Sequence, residues 1–258
     1  MVMLSAHRCG AGKDTHLENT RTALVAALEM DVEYVEFDVQ RCGDGTFVAY
    51  HNDWISRGGE RVPLSRLTFD EFSSEADHFL RYEEILETLK GRKRAHIDFK
   101  FVSPPASYQD PATTYEVIAT RRALDVLGRE NMIVTSLEDQ SVRVVRDWAD
   151  EQHIDLLVGL SLGRDLDGQP LGRRVATRAS ELFPVFRYRR CRANLVVANY
   201  RLARKTLGAY ARLRGLPLLV WTVDTEAELR HWLRPGAAWL VTTNYPDVAA
   251  RIRGSHAP

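Results

Sequence analysis

Short apolar, β-rich runs alternate with longer helical stretches along the whole 258-residue chain, and this alternation limits the possible folds more than any other feature. The runs predict strands at Val2–Arg8, Glu33–Val39, Ala95–Phe101, Met132–Ser136, Asp155–Ser161, Asn194–Ala198, Pro217–Val223 and Ala238–Thr242. Helices are predicted at Asn19–Met30, Tyr82–Leu89, Thr113–Leu127, Glu138–Glu151, Arg201–Arg214, Glu226–Leu233 and Asp247–Arg253. In the first of these, Ala23, Leu24, Ala27 and Leu28 share a face, and Asn19 or Thr20 stands where a cap is needed. Eight strands, mostly each followed by a helix, in this length match an α/β fold of the (β/α)8 TIM-barrel type. A doubly wound open sheet is the alternative. One irregularity follows the second strand, where Thr46–Tyr50 returns as a small hairpin after the turn Gly43-Asp44-Gly45. No Ser- or Pro-rich linker interrupts the chain, so residues 1–258 are expected to form a single domain.

Composition excludes several function classes. Lys+Arg and Asp+Glu are both 35, so the formal charge is zero, without the basic excess of a dedicated nucleic-acid binder. No run approaches the ~20 apolar residues of a membrane span. The N-terminus has no basic leader region and His7 and Arg8 break its apolar run, so a signal peptide is not expected. Cys9, Cys42 and Cys191 are far apart and form no Cys/His cluster, which excludes a zinc site of that type and a disulfide framework. A reducing, cytoplasmic location is the expectation.

Glu36 and Asp38 lie two apart on the second predicted strand, so they share a side, while Val35, Phe37 and Val39 take the side that helices cover. Both carboxylates then face the barrel interior, where they repel each other and need a cation or a shared proton. Asp98 and Lys100 repeat the pattern on the third strand, with His96 one layer deeper. Three inward carboxylates make a hard, all-oxygen site for one divalent cation, Mg2+ by preference or Ca2+. The competing reading is a structural ion pair of Asp98 with Lys100. His7 and His51 end extended segments beside the cluster, where they can serve as general acid and base, and Arg8 and Lys100 are cations suited to phosphoryl oxygens.

The segments Ala6-His7-Arg8, Glu18-Asn19-Thr20, Val35-Glu36-Phe37-Asp38-Val39, Asp44-Gly45, His51 and Arg57 resemble the opening of the glycerophosphodiester phosphodiesterase family, a TIM-barrel family. Ile97-Asp98-Phe99-Lys100, Val220-Trp221-Thr222-Val223 and Thr243-Asn244-Tyr245-Pro246-Asp247 continue the resemblance, in order, to the end of the chain. The resemblance implies that Glu36, Asp38 and Asp98 bind the metal, that His7 and His51 are the acid–base pair, and that Arg8 and Lys100 hold phosphate. It also implies that Glu18 lines the site and that Trp221 forms an apolar wall. The implied substrate is a small glycerophosphodiester, cleaved to an alcohol and glycerol 3-phosphate. Departures are Cys9 where the family has glycine, Asn52 after the second histidine where it has aspartate, and Asp98 for the usual glutamate.

An aspartate two before lysine is instead similar to sphingomyelinase D and related phospholipases D. That similarity implies a lysophospholipid or sphingomyelin substrate, a cyclic phosphate product, and apolar contacts from Trp54, Phe101 and Trp221 at the mouth. A barrel that binds a phosphorylated ligand without turnover is a third reading. Gly10-Ala11-Gly12-Lys13-Asp14-Thr15 lacks the glycine and the Ser/Thr that a phosphate loop needs. The basic run Arg187–Arg192 reads as a solvated loop or helix end, with an anionic lipid surface as the alternative. Long loops at Cys9–Leu17, Val102–Pro111 and Leu162–Arg173 are expected at the catalytic mouth.

Overall fold

The computed structural model describes residues 1–164 and 166–255. Asp165, inside the predicted loop Leu162–Arg173, lies outside the described residues, as do the last three of the expected 1–258 domain. In chain order the strands are β1 (Met3–Ala6), β2 (Tyr34–Arg41), β3 (Phe47–Ala49), β4 (Trp54–Arg57), β5 (Glu60–Pro63) and β6 (Leu80–Arg81). They continue with β7 (Arg94–Phe99), β8 (Met132–Ser136), β9 (Val158–Leu162), β10 (Leu195–Asn199), β11 (Leu218–Trp221) and β12 (Leu240–Thr243). The helices are α1 (Arg21–Glu29), α2 (Phe69–Ser73), α3 (Tyr82–Leu89), α4 (Tyr115–Leu127), α5 (Asp139–Glu151) and α6 (Leu171–Leu182). After them come α7 (Val185–Cys191), α8 (Tyr200–Leu202), α9 (Gly208–Arg214), α10 (Glu226–Trp232) and α11 (Pro246–Gly254).

Strands β1, β12, β11, β10, β9, β8, β7 and β2 pair in that order, and β2 pairs with β1, so a parallel sheet closes into a barrel. This is the (β/α)8 barrel; the open sheet is excluded. Val35, Phe37 and Val39 are fully buried beneath the helices, as the period-2 pattern requires. Tyr34, Ile133, Leu195, Val197, Leu219 and Leu240 fill the lower interior as a second core. A side chain on Gly159 of β9 would meet Val197 Cγ2 at 2.4 Å, so this layer closes only because one strand contributes no side chain. The N-cap of α1 is Thr20, whose hydroxyl accepts from the Ala23 amide; Asn19 is buried instead.

β1 stops at Ala6, short of the predicted Arg8, because His7–Gly10 forms a tight turn with Arg8 and Cys9 at φ 48° and 60°. Cys9 thus takes up a left-handed conformation natural to glycine, with its side chain wholly buried. The insertion after β2 is larger than one hairpin. β3 pairs antiparallel with β2 as expected, but β6 adds to β3, and β4 and β5 form a separate ribbon beside α2. The predicted loop Leu162–Arg173 gives way to α6 at Leu171, and the basic run lies on α7. There, Arg187 pairs with Asp139, and Arg192 pairs with Asp147 and Asp150, which pins α7 to α5 rather than leaving the whole run solvated. The helix predicted at Arg201–Arg214 is broken by a wide turn over Ala203–Leu207.

Candidate active site

Parallel pairing of β2 with β7 sets Glu36 opposite His96 and Asp38 opposite Asp98, so the two acidic strands present their carboxylates at matching heights. One oxygen from each of Glu36, Asp38 and Asp98 lies within 4.8 Å of the others. Glu36 and Asp38 are 3% and 1% exposed, and carboxylates buried this deeply must be neutralised. Two cations do part of that. Lys100 Nζ lies 2.5 Å from Asp98 Oδ2 and 3.1 Å from Asp38 Oδ1, and Arg8 Nε lies 3.2 Å from Asp38 Oδ2. The Arg8 backbone N–H donates to Glu36 Oε2 at 2.7 Å, and the Thr135 hydroxyl donates to Asp98 Oδ1 at 2.7 Å. The ion pair expected of Asp98 and Lys100 is therefore present inside the cluster, not instead of it.

These contacts divide the charge. Burial opposes the Asp38 charge, but Lys100 and Arg8 overcome it and hold the carboxyl far below the ordinary range. Burial, then repulsion from Asp38 and Asp98, pushes Glu36 well above its ordinary value. Burial works against the Lys100 ammonium, yet Asp98, Asp38 and Glu36 together raise its pKa. His96, beneath the cluster and bonded to Thr135 Oγ1 at 3.1 Å, is pushed down to about 4 by burial and is neutral.

His7 and His51 line one cavity of about 730 Å³ with Arg8, Glu36, Asp98 and Lys100. His7 Nε2 is 3.8 Å from Glu36 Oε2, and its Nδ1 is 2.8 Å from Asn244 Oδ1. Asp224 fixes the direction of that second bond. Its carboxylate only accepts, and it takes the Asn244 side-chain N–H at 2.8 Å and the Asn244 backbone N–H at 2.9 Å. The Asn244 oxygen is thereby turned to His7, whose Nδ1 must carry the proton, and Nε2 keeps a lone pair on the carboxylate side. Burial, then Arg8, lowers the His7 pKa, which favours this neutral form. His51 is the more open ring. Its 3.2 Å contact from Nδ1 to Asn52 Oδ1 also needs the proton on Nδ1, so the amide at position 52 still orients the imidazole. Withdrawal from bulk water in the mouth lowers the His51 pKa as well.

Trp221 lines the cavity. Glu18 does not; it acts one step away, accepting from Arg8 at 2.6 Å. Phe101 is buried against Phe47 and Phe99, and Trp54 is stacked under Arg61 on the β4–β5 ribbon, so neither forms apolar surface at the cavity. Arg57 pairs with Glu75 on the insertion. Of the three loops, only Leu162–Arg173 reaches the cavity, through Arg164. Val102–Pro111 is instead tied down by buried Glu116, which accepts from the Ser103 and Tyr108 hydroxyls. Arg164 lies in the loop expected at the mouth, whereas Asp224, Thr135 and Asp53 are not singled out by the sequence. Asp224 alone had a signal, as the residue that follows Trp221-Thr222-Val223.

The sequence pattern of the Glycerophosphoryl diester phosphodiesterase family matches residues 7–248, from the first histidine to α11. The chain belongs to this family. Among solved structures, a glycerophosphodiester phosphodiesterase from Parabacteroides distasonis is 17% identical with a TM-score of 0.76, over 100% of this chain and 98% of that one. One from Thermotoga maritima is 20% identical with a TM-score of 0.66, over 98% and 99% of the two chains. An Oleispira antarctica phosphodiesterase, solved with the product sn-glycerol-3-phosphate, is 15% identical with a TM-score of 0.69, over 97% and 96%. At these identities the likeness is one of fold. A glycerophosphocholine phosphodiesterase from Eremothecium gossypii is 30% identical over 76 residues, which is 30% of this chain and only 6% of that relative.

A divalent ion fits the acidic cluster of this glycerophosphodiester phosphodiesterase-family barrel. The donor set is all oxygen, and Asp38 Oδ2 is buried without a hydrogen bond even though Arg8 Nε lies near it. With three carboxylates and two cations, the site has one formal negative charge left. A divalent ion and a singly charged phosphodiester together would cancel it.

Proposed function

We propose that this chain is a metal-dependent phosphoric diester hydrolase that cleaves glycerophosphodiesters to an alcohol and glycerol 3-phosphate. The observation that carries this reading is the His7 lone pair, oriented through Asn244 and Asp224, beside a carboxylate triad of which Glu36 and Asp98 line the same cavity. His7 is the base and takes a proton from the attacking water at Nε2. His51 is the acid: its protonated form gives the proton to the departing alkoxide, and because its pKa is lowered that form grows as the pH falls. Arg8 and Lys100 hold the phosphate oxygens and lend positive charge as the phosphorus crowds. Glu36, Asp38 and Asp98 hold the ion, Mg2+ by preference and Ca2+ as the alternative. When bound, that ion supplies Lewis-acid stabilisation of the phosphoryl oxygens. Glu18 steadies Arg8, and Trp221 gives the alcohol portion an apolar wall. Residues 1–258 act as one catalytic unit, because the cavity takes residues from β2 near one end of the sequence and β12 near the other.

Phosphorus NMR of products from glycerophosphocholine, glycerophosphoethanolamine and a lysophospholipid tests this. Glycerol 3-phosphate from the first two is expected. A cyclic phosphate from the lysolipid alone would favour the phospholipase D-like chemistry, and no turnover of any of them would leave a binding barrel.

A further inference from the structure

We infer that α6 and α7 form a docking surface for an anionic lipid bilayer, beside the catalytic mouth. Leu171, Val175, Phe183 and Phe186 are 75%, 61%, 77% and 73% exposed, and with Val185 they make up half of the ten exposed large hydrophobic side chains among the described residues. That clustering within sixteen residues sets them apart from apolar side chains scattered singly over a surface. Residues 171–192 also carry seven arginines against one acid, Glu181, in a chain whose formal charge is zero. Glu181 is buried and held by Arg178, so it offsets nothing outside. Arg173, Arg174, Arg189 and Arg190 are exposed and have no ion pair among the described residues.

The helical period supports the same reading. Leu171, Val175, Ala179 and Leu182 follow one another along one side of α6, and Arg174 and Arg178 flank them. A protein interior would leave the arginines unpaired, and bulk water leaves the apolar stripe exposed. A phosphate-bearing bilayer surface satisfies both, with phenylalanine and leucine entering the acyl boundary and guanidinium groups at the headgroups. The surface also connects with the site. α6 follows the C-terminal end of β9, and Arg164 and Trp221 line both the catalytic cavity and an adjoining groove. Arg178 belongs to that groove and to the apolar one formed with Leu171 and Val175. Resting on the phosphodiesterase reading, this path suits amphiphilic diesters whose chain stays near the bilayer while the phosphate reaches the carboxylates.

The test is co-sedimentation of the full chain with vesicles of phosphatidylcholine alone and with about 30 mol% phosphatidylglycerol, which makes the surface negative. Hydrolysis of water-soluble glycerophosphocholine is measured on the same preparations. Binding at least about tenfold tighter to the anionic vesicles is expected, each surface arginine adding to the attraction. Arg173→Glu/Arg174→Glu and Phe183→Ser/Phe186→Ser should each weaken that binding about tenfold, with hydrolysis of the soluble diester unchanged. High salt should weaken binding of the native chain more than it weakens binding of the arginine variant. Equal binding to both vesicles, variants that bind like the native chain, or a dimer broken by Phe183→Ser/Phe186→Ser without vesicle binding would overturn the proposal. Anionic vesicle binding without hydrolysis would uphold the surface and remove the catalytic reading.

Discussion

His7 carries its proton on Nδ1 because Asn244 offers it an oxygen, and Asn244 is so turned because Asp224 takes its amide hydrogens. Removing the amide with Asn244→Ala frees the ring and lowers kcat/KM by about 10–100-fold, the usual loss when an orienting partner is removed. The sign of the pH effect follows. Burial lowers the His7 pKa, so with His7 as the proposed base the acid limb of the rate profile lies below that of an ordinary imidazole. The Asn244 bond favours the charged ring, so Asn244→Ala moves the limb to still lower pH; a limb that rises would contradict the arrangement. His51→Ala should cost about 10²–10⁴-fold on a diester with an alkyl leaving group and far less with p-nitrophenol, which leaves unprotonated. Equal losses would deny His51 the acid role. The carboxylates and histidines were legible in the sequence because strand alternation and strand ends dictate where they point. The Asp224–Asn244–His7 relay was not, since Asn244 reaches His7 only when the last strand, β12, pairs with the first, β1.

At the scale of elements, the barrel strands were readable because each is an apolar run covered on its outer face, and that pattern survives any detail of packing. What escaped was structure too short to show a period, even where it buries a residue such as Ile55 or Leu80. β4, β5 and β6 are only four, four and two residues long. α6 is disguised by Gly168 and Pro170 before it and Gly172 in its first turn, and its apolar stripe meets solvent at Leu171, Val175 and Ala179, reaching the core only at Leu182. One packing prediction belongs here. Gly159→Ala puts a methyl group against Val197, and overpacking of a filled layer costs about 1–3 kcal/mol. Urea unfolding should show a lower midpoint at unchanged slope; an unchanged midpoint would mean the inner layer has spare room.

For the molecule as a whole, closure matters as much as any single contact. Arg253 of α11 bonds Glu33 at 2.7 and 2.8 Å, and Glu33 also accepts from the Leu4 amide, so the last helix clasps the first two strands. The closed barrel brings three acids and two cations into one place, leaving one formal negative charge that a divalent ion and a phosphodiester together would cancel. Saturating Mg2+ at about 100 times its dissociation constant should therefore stabilise the fold by about 2.7 kcal/mol, seen as a rise in melting temperature absent from Asp38→Asn. The most direct test is the initial rate of glycerophosphocholine hydrolysis by protein stripped with EDTA as Mg2+ is added back, beside Asp38→Asn treated alike. The native chain should climb from almost no rate to a plateau while Asp38→Asn stays flat. A full rate in EDTA, or the same climb in Asp38→Asn, would contradict a reaction centred on the carboxylate-held ion.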